Sequence, residues 1–354
     1  MRPDATGAAW AALVLGSTPG VVLAVLGAGH VLSDRVVVAV FSLSFVALNM
    51  MHMAATWSVV YLESESWRNA RVERVVVPLL IVVAVLTVEA SGGAVALLGV
   101  QYYLSLHHAV LQNYGIVRSR QRRAGRNVSG RGMWLDMAAC GLGPMAALTY
   151  RAHAVSGVYN GAPLWKPPLW LAVGLAAGGM LALVAWLVRE ARALRAGEWV
   201  DPLSIGLLVV TSGTWIALLL CIRSPALPFY ALASGHYVQY LYFVWQYQHR
   251  PNSFNALPAR LRELVAPPAR WSYFASLMAF GGSVTLGLTV VAVGVRALAW
   301  SAGLRPPGAF AAPPWVAAML AINLQHYWLD HRIWRAPRAH PSAPATMTTS
   351  QQRG

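Results

Sequence analysis

Charged side chains are scarce in this chain of 354 residues: Asp, Glu, Lys and Arg together make up only 11% of it. Soluble domains carry about 25% charged residues, so this chain has too few to cover a water-facing surface, and we expect it to face lipid. A disordered chain is excluded as well, because 57% of the residues are hydrophobic and disorder requires low hydrophobicity. The 15 Trp and 13 Tyr are typical of membrane proteins, in which these side chains collect at the two interfaces.

Cysteine and the familiar catalytic motifs are also scarce. Cys140 and Cys221 are the two cysteines, and both lie in apolar runs, which excludes a disulfide framework and a CxxC metal site. The sequence contains no GxGxxG, P-loop, nucleophile elbow or HExxH motif, so it offers no signature of a nucleotide-binding protein or a common hydrolase. Chemistry must therefore be sought in isolated polar residues within the apolar runs.

Ten segments contain the roughly 20 mostly apolar residues that a membrane-spanning helix requires. We therefore predict an all-α fold, a polytopic integral membrane helical bundle of about ten transmembrane helices. The predicted spans are 9–31, 36–61, 74–91, 93–117, 133–150, 168–188, 202–222, 228–248, 272–297 and 312–333.

The basic residues predict the orientation of these spans. Of 27 Lys and Arg, 21 fall at the N-terminus or after an even-numbered span, and cytoplasmic loops are the ones enriched in Lys and Arg. Both termini are thus expected in the cytoplasm, with one transmembrane domain over 1–337 and a disordered cytoplasmic tail over 338–354. Because the charges are divided among separate loops, no nucleic acid partner is expected. The single Lys, Lys166, among so many Arg favours a GC-rich genome and a bacterial inner membrane.

Histidines are concentrated inside the even-numbered spans. Ionisable residues within a bilayer are costly, so each is a functional hypothesis by default. These histidines lie in the second halves of spans that run toward the cytoplasm, which gives them overlapping depths. We predict a metal site among His52, His107, His108, His236 and His326. His107 and His108 point about 100° apart on a helix, so one of the two is expected to be the first ligand, and the sequence leaves the choice open.

Amides, phenols and one carboxylate accompany these histidines. Residues three or four apart share a helical face, where they can orient an imidazole through its second nitrogen. On this basis the residues expected to support the cofactor are Asn49, Gln112, Gln239, Asn323 and His331, and those expected to act in catalysis are Asp330 and Tyr240. His331 is equally compatible with a place at the headgroups beside Arg332, and Asp330 with a boundary salt bridge.

Two further acidic residues, Glu89 and Asp136, lie near the ends of predicted spans. Glu89 lies near the outer end of the third span; it could belong to a proton relay, but a position so close to the loop favours contact with water. Asp136 follows the basic loop and is expected to pair with one of its arginines. For each histidine taken alone, a hydrogen bond across a helix interface is the competing interpretation.

Several imidazoles converging from separate helices suit Fe, Cu or Zn. The leading hypothesis is a non-haem iron enzyme that oxidises or oxygenates a lipid, isoprenoid or other hydrophobic substrate in the membrane. One alternative is a bis-histidine haem protein in quinone-linked electron transfer, and another is a transporter coupled to protons or metal. The expected partners are membrane lipids, a hydrophobic small molecule and an electron-transfer protein.

In plan, a bundle with a histidine centre near the inner leaflet resembles the membrane fatty-acid desaturases and hydroxylases and the β-carotene dioxygenase family. The resemblance is one of architecture. The desaturase boxes HxxxH and HxxHH are absent, as is the GxPHGxxDH pattern of the carotene dioxygenases. No residue role is therefore transferred from either family.

Overall fold

The structure is a computed structural model. It describes residues 34–62, 71–123, 125–126, 130–154, 158–159, 162–163, 165–222, 227–249, 254–255, 257–266, 270–305 and 310–334, with seven residues between 16 and 24. The predicted tail, 338–354, lies outside the described residues. So does most of the predicted first span, 9–31, although the described residues within it are helical.

The described chain is built almost entirely of helices, as expected of an all-α fold. Two π-helical turns, Glu89–Gly93 and Leu207–Thr211, join successive helices, and strands β1 (Val158–Tyr159) and β2 (Ala162–Pro163) form a short antiparallel pair. The α-helices are α1 (Asp34–Leu62), α2 (Arg71–Val88), α3 (Ala94–Arg123), α4 (Arg131–Ala154), α5 (Leu169–Arg195), α6 (Pro202–Gly206), α7 (Ser212–Cys221), α8 (Leu227–Gln248), α9 (Ala259–Val265), α10 (Arg270–Ser301) and α11 (Pro314–Trp334).

Five helical stretches in the described part of the chain are long and apolar enough to cross a membrane. They are Leu43–Tyr61, Arg74–Arg122, Leu169–Arg195, Pro202–Cys221 and Trp271–Ser301. The second contains 49 residues, far more than one crossing needs. It bends at Gly92, whose φ of 94° lies in the left-handed region that glycine tolerates best. The break expected between 91 and 93 is therefore present.

Close contacts at glycines set the positions of neighbouring helices. At Gly281 on α10, an added Cβ would lie 2.4 Å from the carbonyl oxygen of Met50 on α1. At Gly179 on α5, it would lie 2.9 Å from the backbone nitrogen of Gly143 on α4. Only residues without a Cβ permit such approaches, so Gly281 fixes the distance between α10 and the part of α1 that carries His52.

Two hydrophobic clusters make up the core, and the histidines lie where the two meet. Ala109, next to His108, belongs to one cluster. Met53, next to His52, and Leu329, three residues after His326, belong to the other. The imidazoles are thus surrounded by packed apolar side chains.

Ion pairs join the helices near their ends. Asp136 contacts Arg189 at 2.5 Å and Arg118 at 3.8 Å, which confirms that it pairs with basic residues. The expectation for Glu89 was wrong: it is 1% exposed and lies 2.6 Å from Arg296. The π-helical turn directs Glu89 toward α10, where a buried carboxylate requires a partner.

Candidate metal centre

Four of the five predicted histidine ligands are buried together. His52 lies on α1, His108 on α3, His236 on α8 and His326 on α11, and none is more than 6% exposed. Their sequence separations are large, so only the packing of four separate helices brings them into contact. The overlapping depths inferred from the sequence are consistent with this meeting.

Three of these histidines bring one ligand nitrogen each within 4.8 Å of the others. The Nε2 atom of His326 lies 2.8 Å from that of His52 and 3.1 Å from that of His108. A neutral imidazole nitrogen carries either one proton or one lone pair, so the Nε2 of His326 cannot make two linear hydrogen bonds. A cation at the meeting point would instead accept a lone pair from all three nitrogens.

The spacing of these nitrogens fits a transition metal. Metal–imidazole bonds of about 2.0–2.1 Å place adjacent ligand nitrogens about 2.9 Å apart at a right angle and about 3.4 Å apart at a tetrahedral angle. The contacts between His326 and its two neighbours are 2.8 and 3.1 Å. The buried group of His52, His108 and His326 can therefore bind a metal ion.

A buried carboxylate lies beside the three histidines. Oδ2 of Asp330 is 3.6 Å from Nε2 of His108, and its Oδ1 accepts a 2.5 Å hydrogen bond from the hydroxyl of Tyr240. That hydroxyl is also 2.7 Å from Oγ1 of Thr56. The spacing in the sequence placed Asp330 one turn after His326, and the contact with His108 adds a partner from α3. The two predicted catalytic residues are thus joined to each other and to the histidine group.

The predicted amides are buried around the site, but they bind other groups than those expected. Nδ2 of Asn49 donates to Oδ1 of Asn323 at 3.4 Å, which links α1 to α11. Nε2 of Gln112 donates to the backbone oxygen of His236 at 3.3 Å. Gln239 is also fully buried. Asn49 and Gln112 therefore connect helices that carry the histidines.

The remaining nitrogens of two site histidines have no hydrogen-bond acceptor among the described residues. They are Nδ1 of His52 and Nδ1 of His326. A ligating imidazole usually donates its second N–H, and buried water commonly serves such groups. The sequence predicted that Asn49 and Asn323 would bond these nitrogens. Among the described residues, neither amide makes a hydrogen bond to them.

Three predicted site histidines differ in position from the central group. His236 lies with its ring centroid 5.0 Å from those of both His52 and His108, but neither of its nitrogens has a hydrogen-bond partner among the described residues. His107 is exposed on α3, which selects His108 from the doublet. His331 belongs to α11, and its side chain lies outside the described part of the chain.

A small cavity adjoins the histidines. The volume that it leaves open to the centres of water-sized molecules is about 40 Å³. One water molecule needs about 10–15 Å³ of such volume. Its walls include His52, His108 and His236, together with Trp215 and Leu148. No Asp, Glu, Lys or Arg is among the described lining residues.

Three residues that contribute to the site were missed from the sequence. Thr56 lies four residues after His52 on the same helix, a spacing that could have identified it. Tyr327 stacks on His108 with ring centroids 4.7 Å apart, and its hydroxyl is 2.7 Å from Oγ of Ser105. Trp215 comes from α7, whose apolar sequence carries no signal of a nearby site.

Comparisons of the chain with protein-family models, with curated proteins and with solved structures find no match. The function of the chain must therefore be inferred from the geometry of the site.

Proposed function

We propose that the chain is a membrane-embedded metalloenzyme that uses a histidine-bound transition metal, iron in particular, to oxygenate a hydrophobic substrate. One observation carries the proposal: three buried Nε2 atoms from three separate helices lie within hydrogen-bond distance around His326. Packing alone would satisfy each imidazole with a donor or an acceptor, whereas one imidazole nitrogen that faces two other imidazole nitrogens at these distances suits a shared cation.

Iron is favoured by the donor set. His52, His108 and His326 would supply nitrogen ligands, and Asp330 is the nearest carboxylate, 3.6 Å from His108. Combined imidazole and carboxylate ligands with open positions are typical of non-haem iron oxygenases. Haem is not favoured, because axial imidazoles on opposite faces of a macrocycle lie about 4 Å apart with the ring between them. No contact among the described residues favours transport.

An apolar groove supports a hydrophobic substrate. It lies among α4, α5 and α7. The volume that it leaves open to the centres of water-sized molecules is about 890 Å³. Ala147 and Ile216 line the groove, whereas the adjacent Leu148 and Trp215 line the cavity. Neighbouring residues of α4 and α7 thus line the cavity and the groove, and α5 and α7 belong to stretches that are long and apolar enough to cross a membrane. We propose that a hydrocarbon chain from the bilayer occupies the groove.

The proposed reaction inserts one atom of dioxygen into a C–H bond. Dioxygen accepts two electrons from that bond and two from an electron-transfer partner; one oxygen atom enters the substrate as a hydroxyl group, and the other leaves as water with two protons. Bound iron supplies the activation of dioxygen. Tyr240 holds a proton on its hydroxyl, hydrogen-bonded to Asp330, and so provides a proton donor within the buried site.

We also propose that the chain crosses a bacterial inner membrane ten times with both termini in the cytoplasm. Support comes from the described helices, which coincide with each predicted span from 36–61 onward. The unequal distribution of Arg among the loops supports the orientation. Labelling of cysteines introduced at residues 65 and 125, from either side of intact vesicles, would test it.

Incorporation of heavy oxygen tests the function. Cells that produce the wild-type protein or His326→Ala are grown under ¹⁸O₂, and their membrane lipids are compared by mass spectrometry. We expect a hydrophobic species that gains one ¹⁸O atom with the wild type and is absent with His326→Ala, because that substitution removes the nitrogen shared by both close contacts. Equal labelling in the two cultures, or none in either, would contradict the proposal.

A further inference from the structure

His236 is the one histidine of the buried group whose imidazole makes no hydrogen bond within the described part of the chain. It is 3% exposed, and both Nδ1 and Nε2 lack a partner there. A buried polar group without a hydrogen-bond partner destabilises the folded protein. The side chain lines the cavity beside His52 and His108, so an atom within that cavity can accept its N–H.

A second donor without a recorded hydrogen bond lines the same cavity. Nε1 of Trp215 has no hydrogen-bond partner among the described residues, and the side chain is fully buried. The indole N–H can only donate. Two buried donors thus border a space that also contacts two of the three histidines of the metal group.

The cavity limits what those donors can bind. Its volume of about 40 Å³ has room for about three water-sized molecules, and its described lining contains no Asp, Glu, Lys or Arg. A cation would lose its hydration there with no carboxylate to replace it, and it could not accept the two N–H groups. A small, uncharged molecule with hydrogen-bond acceptor atoms fits both limits.

We propose that this cavity binds a neutral molecule of two or three atoms, of the dioxygen class, beside the metal, with His236 as its hydrogen-bond donor. This inference rests on the proposed metal centre and deepens it, because it gives the small co-substrate a place separate from the hydrophobic groove. His236 then acts as a binding residue for that molecule, and the metal is held by the other three histidines.

Nitric oxide is a suitable probe, because it is small and neutral and binds ferrous iron. Full-length protein in detergent is loaded anaerobically with Fe(II), its iron content is measured, and nitric oxide is titrated while the absorption spectrum and the N–O stretching band are recorded. The variants are His236→Phe, which removes the donor, His236→Gln, which restores an N–H, and His107→Phe as a control on the exposed histidine of α3.

We expect His236→Phe to retain its iron but to bind nitric oxide about tenfold more weakly, which corresponds to one hydrogen bond, with a shifted N–O band. His236→Gln and His107→Phe should stay close to the wild type. Loss of iron from both His236 variants would overturn the inference by making His236 a ligand. Unchanged affinity and an unchanged band in His236→Phe would overturn it as well. Absence of iron from the wild type would instead refute the proposed metal centre, and this result is read before nitric oxide is added.

Discussion

Gly281 offers a way to disturb the histidine group without touching it. In Gly281→Ala the new Cβ would lie 2.4 Å from the Met50 carbonyl oxygen, whereas ordinary contacts begin at 3.4 Å. Helices α1 and α10 must therefore separate by about 1 Å. His52 lies two residues after Met50, so its Nε2 should move relative to that of His326, now 2.8 Å away.

A displacement of this size exceeds what a metal site tolerates, since ligand distances are held to about 0.2 Å. We expect Gly281→Ala to bind metal roughly tenfold more weakly and to be destabilised by about 1–3 kcal/mol through overpacking. Metal titration and thermal unfolding in the same detergent measure the two effects.

The matched control is Gly287→Ala, also on α10, where an added Cβ meets no atom within 4 Å. It should bind metal normally and be slightly more stable, because alanine favours a helix over glycine by about 0.5–1 kcal/mol. Equal metal affinities and equal unfolding temperatures in the two variants would show that the packing of α10 does not control the position of His52.

Three further predictions concern separate polar groups. Tyr240→Phe removes a buried proton donor and should retain the metal while product formation falls at least about 100-fold; an unchanged rate of ¹⁸O incorporation would argue against a role for the phenol. Glu89→Gln leaves Arg296 without its carboxylate partner and should destabilise the protein by about 3 kcal/mol. In Glu89→Gln with Arg296→Met that loss should largely disappear, so equal unfolding temperatures in the single and double variants would count against the ion pair. Burial tends to raise the pKa of Asp201, but hydrogen bonds, first among them that from Arg120, outweigh burial and hold the pKa below its usual value. The ionised Asp201 carboxylate therefore stabilises the folded protein at pH values above the unfolded pKa of about 3.9. This contribution is lost as the pH falls through the lower folded pKa. Asp201→Asn should therefore lower the unfolding temperature near pH 6, and this effect should shrink as the pH falls below about 4. An effect that does not shrink would contradict the assignment.

Helix type and the burial of four of the five site histidines could be predicted from the sequence because both follow from local patterns. Long apolar runs define helices regardless of what they pack against, and a histidine inside such a run has no inexpensive alternative to burial among partners. The break at Gly92 was equally local, since the adjacent glycines mark it.

Partners across helices could not be predicted in the same way. Helical spacing placed Asp330 on the same face of α11 as His326, whereas its 3.6 Å contact with His108 depends on the packing of α3 against α11. The expectation that Glu89 reaches water failed because Arg296 is 207 residues away, and nothing near Glu89 in the sequence indicates that α10 passes there. The choice between His107 and His108 likewise depends on which face of α3 meets α11.

The metal content of the purified protein shows whether His52, His108 and His326 form a metal centre. Wild-type protein, purified in detergent after growth with added iron, should contain about one equivalent of metal per chain by elemental analysis. We predict that His52→Ala, His108→Ala and His326→Ala each lose it, while His107→Ala, altered one residue from His108, keeps it. A wild type without metal, or variants of the three buried histidines that all retain it, would contradict the account and leave the three imidazoles as a packing contact between helices.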